Sequence, residues 1–175
     1  MPASTNKYST RKITYLSLLT AASVVGRLLF TWLPNVQPMT AIFLLIAFFC
    51  PLSQALIVAL LGVLITNLYL GMGTWTISQL VAYTAILTLF HSSRHLPFIK
   101  KQLFWQALLA FACGILYGFV ISLMETTLYQ LPSFWGYYSQ GIFFDLLHAG
   151  GNFGFYLLCY PLFKRLFLPV LGKLD

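Results

Sequence analysis

The sequence predicts an all-α integral membrane bundle of six helices, and three observations predict it. Long apolar runs recur along the chain, turn-forming residues break them at intervals, and nine of the ten Lys and Arg residues fall in three places. With 59% hydrophobic and 7% charged residues and a mean hydropathy of +0.84, the 175-residue chain has too few charges to solvate a globular surface. Its +7 formal charge sits in short clusters beside apolar runs, where it meets anionic lipid head groups rather than nucleic acid.

A spanning helix needs about 20 apolar residues. The first expected helix covers 13–32 and ends at Leu33-Pro34-Asn35. The second, 38–50 before Pro51, is short. Its rise of roughly 20 Å does not cross about 30 Å of hydrocarbon, so it is either a half-helix or borrows length from its flanks. The third covers 52–70 and stops at Gly71-Met72-Gly73, the fourth covers 76–91, and 94–101 form a basic turn around Pro97. Two long helices follow, 102–129 and 139–167, separated by Leu131-Pro132-Ser133-Phe134-Trp135-Gly136. Their excess length implies tilt or protrusion.

Six helices place both termini and the 94–101 turn on one side, together with Lys7, Arg11, Lys12, Arg94, Lys100, Lys101, Lys164, Arg165 and Lys173. By the positive-inside rule that side is the cytoplasm. A re-entrant hairpin made of the second and third segments keeps the same parity, so charge does not separate six spans from four plus a hairpin. Residues 1–12 read as a cytoplasmic tail without a signal-cleavage pattern, and 1–175 as one domain. Cys50, Cys113 and Cys159 stand singly in apolar contexts and read as small core fillers.

Three cation-free segments face outward: Trp32 to Pro38, Gly71 to Trp75, and Pro132 to Tyr138. Each combines rigid or bend-permitting residues with aromatic faces and amides or hydroxyls, the ingredients of a concave site for an organic molecule. Asn35, Gln37, Trp75, Trp135 and Tyr137 are the candidate contacts; an interfacial aromatic belt is the competing reading. Just below them Asn67, Gln79, Asp145, His148 and Asn152 interrupt apolar helices, where polar groups turn inward. Asp145, His148 and Asn152, at i, i+3 and i+7, share one helical face. They serve either a ligand or an interhelical hydrogen-bonded clamp.

Arg27 is the tenth basic residue, placed near the outer end of the first helix. An unpaired Arg at that depth is costly, so an ion pair with Glu125 or Asp145 is expected; an anionic ligand group is the alternative. His91 and His95 have metal-ligand spacing but no third ligand, and read as solvated interfacial histidines. No metal, cofactor or catalytic motif is expected, with three acids in the chain. Ala22 and Gly26 form a small-xxx-small pair that admits another helix, a partner's or one of the chain's own.

Those residues resemble a known family. The small-residue stripe leading into Gly26-Arg27, the segment Pro34-Asn35-Val36-Gln37-Pro38, and Asn67-Leu68-Tyr69-Leu70-Gly71-Met72-Gly73-Thr74-Trp75-Thr76-Ile77-Ser78-Gln79 resemble substrate-binding S components of energy-coupling factor (ECF) vitamin transporters, most of all the cobalamin-specific subgroup. The resemblance implies a bacterial plasma-membrane subunit that captures a vitamin from outside, cobalamin first and another such as pantothenate second. It also implies a transmembrane coupling protein contacted through Ala22 and Gly26, and two cytoplasmic ATPases that perform the hydrolysis. Here a Gly replaces the second Ala of the family's pair, and Val25 interrupts an Ala21-based register. A reading of another class is an integral membrane enzyme acting on lipid or peptide through Glu125, Asp145 and His148. A stand-alone carrier would need inverted repeats, which the chain lacks.

Overall fold

A run of eleven residues, MTAIFLLIAFF, is apolar on every side, and a helix of that kind is buried all round. The computed structural model, which describes residues 10–167, places this run at the centre of the fold as α2 (Met39–Phe49). Phe43, Leu44, Leu45, Ile46 and Ala47 are all fully buried. Around α2 pack α1 (Thr10–Leu29), α3 (Leu52–Leu70), α4 (Trp75–Ser93) and α7 (Phe134–Leu166), while α6 (Leu103–Leu128) packs on α4 and α7. A five-residue helix, α5 (Pro97–Lys101), occupies the basic turn, with Pro97 at the helix start, where a missing N–H is harmless.

The short second helix therefore keeps its own length. Eleven residues rise about 16 Å, and Cys50 before Pro51 is extended, as the proline ring requires of the residue preceding it. Four helices surround it, so its length need not be that of a spanning helix. At the other end Pro38 precedes the helix and packs into α1, where a Cβ on Gly26 would lie 2.6 Å from the proline Cγ.

Among the described residues every regular element is helical. Four helices, α1, α3, α6 and α7, are long and apolar enough to cross a membrane. The fourth helix has comparable length but carries Ser78, Gln79, Thr84, Thr88 and His91. Thr84 and Thr88 satisfy their hydroxyls on carbonyls one turn back, both at 2.7 Å. Leu29, Leu68 and Leu158 are exposed by 65%, 72% and 71%, a surface compatible with a multi-pass membrane protein and costly in water.

Several boundaries differ from those expected. α1 begins at Thr10, so Arg11 and Lys12 belong to a helix; Lys7 and Lys173 lie outside the described residues. It ends at Leu29 in a turn closed by Leu33 N–H on Phe30 O at 3.0 Å. α7 starts at Phe134, five residues before the expected start, because Ser133 caps it: its hydroxyl accepts from Gly136 N–H at 3.1 Å. Trp135, Tyr137 and Tyr138 thus project from the first turns of a helix. Gly71, at φ 118°, lets the chain leave α3 in a conformation that disfavours side chains.

α6 and α7 approach closely through glycine. A Cβ on Gly114 would stand 2.5 Å from the Ala149 Cα, and one on Gly118 would stand 1.9 Å from Asp145 Oδ1. Edge-to-face contact of the Tyr15 and Phe167 rings at 6.2 Å brings the start of α1 and the end of α7 together. At the opposite end, Asn35 Nδ2 donates to Phe144 O at 3.0 Å, and Thr74 and Tyr129 hydrogen-bond through their hydroxyls. The α1–α2, α3–α4 and α6–α7 connections are thereby tied to the bundle at one end, away from the described Lys and Arg residues other than Arg27.

Candidate ligand site

The polar residues at the cation-poor end sort into three groups. In the first, Arg27 Nη1 donates to Thr66 Oγ1 at 2.6 Å and to Asn67 Oδ1 at 3.2 Å. Asn67 Nδ2 donates in turn to Thr76 Oγ1 at 2.9 Å and Gln79 Oε1 at 2.7 Å. Amide polarity explains the pattern: the oxygen of Asn67 meets the cation and its N–H₂ meets oxygens. The expected ion pair of Arg27 with Glu125 or Asp145 does not form among the described residues. Glu125 instead accepts from Ser78 Oγ at 2.5 Å, an α4–α6 bond.

In the second group α2, α4, α7 and the first connection meet. His148 Nδ1 lies 3.2 Å from Asn35 O, and its Nε2 lies 3.4 Å from Thr40 Oγ1, which is 3.0 Å from Tyr83 OH. A carbonyl only accepts, so Nδ1 carries the proton; with a neutral ring, Nε2 accepts from Thr40, which accepts from Tyr83. The Tyr117 ring lies tilted between them, 4.8 Å from the Tyr83 ring and 5.1 Å from that of His148. Asn35 has φ 58°, a left-handed conformation that Asn tolerates better than most residues. That turn directs its carbonyl to His148 and its amide to Phe144.

The third group is a cavity of about 320 Å³ between α6, α7 and the first connection. Asn35, Tyr117, Tyr137, Gln140, Phe144 and Asp145 form its walls, and Gly118 and Gly141 leave it room. Asp145 is 8% exposed, and its Oδ2 is buried without a hydrogen-bond partner. The carboxylate fits there because position 118 lacks a side chain. A buried acceptor left unmet costs about 1–3 kcal/mol, and more when charged. Such a group in a cavity wall is a docking point for a donor. About two turns further in, Asn152 is fully buried and neither end of its amide is paired.

The structure thus gathers Asn35, Tyr137 and Asp145 in one cavity and joins His148 to it through Asn35. Asn67 and Gln79 belong to the Arg27 network instead. Gln37 is half-buried and makes no hydrogen bond among the described residues. Trp75 covers Gly73 and is 46% exposed, and Trp135, 70% exposed, stands against Phe134. Neither lines the cavity. Gly26 faces Pro38 inside the fold and Ala22 faces outward, so the two do not share an open stripe. His91, expected in solvent, holds the end of α2: its Nδ1 is 2.6 Å from Ala47 O.

Tyr117, Gln140 and Thr40 were not singled out in the sequence. A usable signal was present for the first: Gly114 and Gly118 form a small-xxx-small pair on α6, which marks the face that meets α7. Tyr117 stands beside it. No group of His, Cys, Asp and Glu able to hold a metal ion occurs among the described residues. Comparison of the chain with protein-family models, with curated proteins and with solved structures gave no match.

Proposed function

We propose that this chain is the substrate-binding S component of an ECF-type ABC importer in a bacterial plasma membrane, capturing a vitamin from the extracellular side. One observation carries the reading. At the cation-poor end, Asn35, from a segment that carries the resemblance, lines with Tyr137 and Asp145 a cavity whose wall holds a buried, unmet carboxylate oxygen. A pocket with few polar groups and an unsatisfied acceptor discriminates among ligands, because a wrong one leaves the acceptor unpaired. In this reading the six longer helices cross or lie within the bilayer, and the basic end with both termini faces the cytoplasm.

The partners are a transmembrane coupling protein and two cytoplasmic ATPases. Since Gly26 is committed to Pro38, the coupling protein approaches α1 on the side of Ala21, Ala22 and Val25. A groove of about 380 Å³ runs there between α1 and α3. Binding drives transport only if the ligand favours one conformation over another. Asn35 supplies such a link, because it touches both the cavity and His148.

Cobalamin is the first substrate by resemblance. The volume favours a second reading: about 320 Å³ is at the small end of ligand cavities, and suits a compact vitamin such as pantothenate unless the connecting turns part around a corrinoid. Glu125 bonds to Ser78 and His148 to Thr40 and Asn35, and no two of Glu125, Asp145 and His148 bond to each other, which favours binding over catalysis.

The test is native mass spectrometry of the purified chain against a vitamin panel, with absorbance for corrinoids. A one-to-one complex that Asp145→Ala weakens is expected. Turnover of a lipid or peptide by the isolated protein, lost in Asp145→Ala, would reverse the reading in favour of an enzyme.

A further inference from the structure

A second cavity, of about 470 Å³, lies at the opposite end of the bundle. Arg94 and His95 reach it from the end of α4, Lys100 from α5, and Lys164 from α7. Arg94, His95 and Lys100 belong to the basic turn, and the fold adds Lys164 from α7, distant in sequence. The chain has three acids. Glu125 is bonded to Ser78, Asp145 lines the other cavity, and Asp175 lies outside the described residues. No carboxylate therefore lines this cavity among the described residues, and its cations repel one another until an anion enters.

The opposite wall is aromatic. Phe48 and Phe49 close it from the end of α2 and Tyr160 from α7. Phe49 and Tyr160 meet with centroids 5.7 Å apart, and Lys164 Nζ stands 5.9 Å from the Tyr160 centroid. Cations on a rim above an apolar wall match a molecule with a phosphate at one end and hydrocarbon at the other. Exposure of Lys100 and Lys164 leaves the rim open. A free metabolite would use the rim and waste the wall; a phospholipid uses both.

We propose that this cavity binds a phosphate-bearing anion, supplied by the head group of an anionic phospholipid in the adjoining leaflet. The bound lipid neutralises the rim and joins the ends of α2, α4 and α7, holding that end of the bundle at the membrane surface. The proposal is independent of the vitamin reading: it concerns different residues at the other end of the molecule.

The full chain is reconstituted in nanodiscs of phosphatidylcholine and phosphatidylglycerol in equal parts, and retained lipid is read by native mass spectrometry after release. Enrichment of phosphatidylglycerol on the order of tenfold is expected, from the pull of clustered basic residues on anionic lipid. The variant R94Q/K100Q/K164Q should lose it. R11Q/K101Q/R165Q, which removes the same charge from the same end but outside the cavity, should keep it. Millimolar inorganic phosphate separates the sources: displacement of the lipid assigns recognition to the phosphate alone, and persistence assigns it to phosphate and chains together. No enrichment in the unaltered protein, or equal loss in both triple variants, would overturn the proposal. Should the first triple variant lose its helical circular dichroism, K100Q and K164Q singly are expected to reduce the enrichment a few-fold while remaining folded.

Discussion

The two ends of this bundle handle polarity in opposite ways. At the end holding the first connection, polar side chains are buried and bonded mostly to one another: Arg27 to Thr66 and Asn67, Asn67 to Gln79, and Thr40 to Tyr83. At the other end the charges stand at the surface, with Lys100, Lys101, Lys164 and Arg165 exposed. The first end holds an unmet acceptor, Asp145 Oδ2, in a cavity wall, and the buried Asn152 amide further in is unmet as well. The second holds clustered cations that water and head groups can reach. In the proposed readings, a ligand at the first end would replace a missing hydrogen bond and one at the second would neutralise charge. Geometry governs the first, and ionic strength the second.

That contrast can be broken most forcefully at Gly114. A side chain there would press its Cβ to 2.5 Å from the Ala149 Cα, a backbone atom that yields only if α6 and α7 separate. Gly114→Leu is expected to destabilise the protein by about 3 kcal/mol or more, beyond the usual range for overpacking, measured as a fall in thermal unfolding midpoint in detergent. An unchanged midpoint would mean that the close α6–α7 approach is not needed.

Asp145→Ala sharpens it. Removing a buried oxygen without a partner should leave the ligand-free midpoint unchanged or raised, whereas ligand affinity should fall about 10- to 100-fold, the worth of a hydrogen bond to a charged group. The two quantities move apart only if the carboxylate serves the ligand. Equal losses in both would assign Asp145 to the scaffold.

The smallest expected effect concerns Arg27. A double-mutant cycle of Arg27→Met with Asn67→Leu should give a coupling of about 0.6 kcal/mol, typical of side-chain hydrogen bonds within membranes. The same cycle with Glu125→Gln should give almost none. A large Arg27–Glu125 coupling would restore the ion pair and weaken the division between the two ends.

Much of the architecture was legible in the sequence. Long apolar runs, Gly71 at a left-handed exit and Pro51 after α2 mark helices and their ends through local rules that hold whatever packs around them. The half-length of MTAIFLLIAFF was visible too; its central position was not, because being apolar on all sides is equally compatible with lipid and with four protein neighbours. The start of α7 was misplaced by five residues for a local reason, the Ser133 cap, that aromatic composition obscured.

The site divides along the same line. One-face spacing placed Asp145, His148 and Asn152 together on α7, since helical periodicity is a property of a single segment. Partners are not. Arg27 chose Thr66 and Asn67 over the two acids because the packing of α1 against α3 brings those groups within reach. Gly26 turned inward because Pro38 needed its space. The sequence by itself determined the solvent, the helices and the sorting of cations. Tertiary structure alone decided which polar groups meet, because a hydrogen bond is settled within about 3 Å, a scale that only the packing of one helix on another sets.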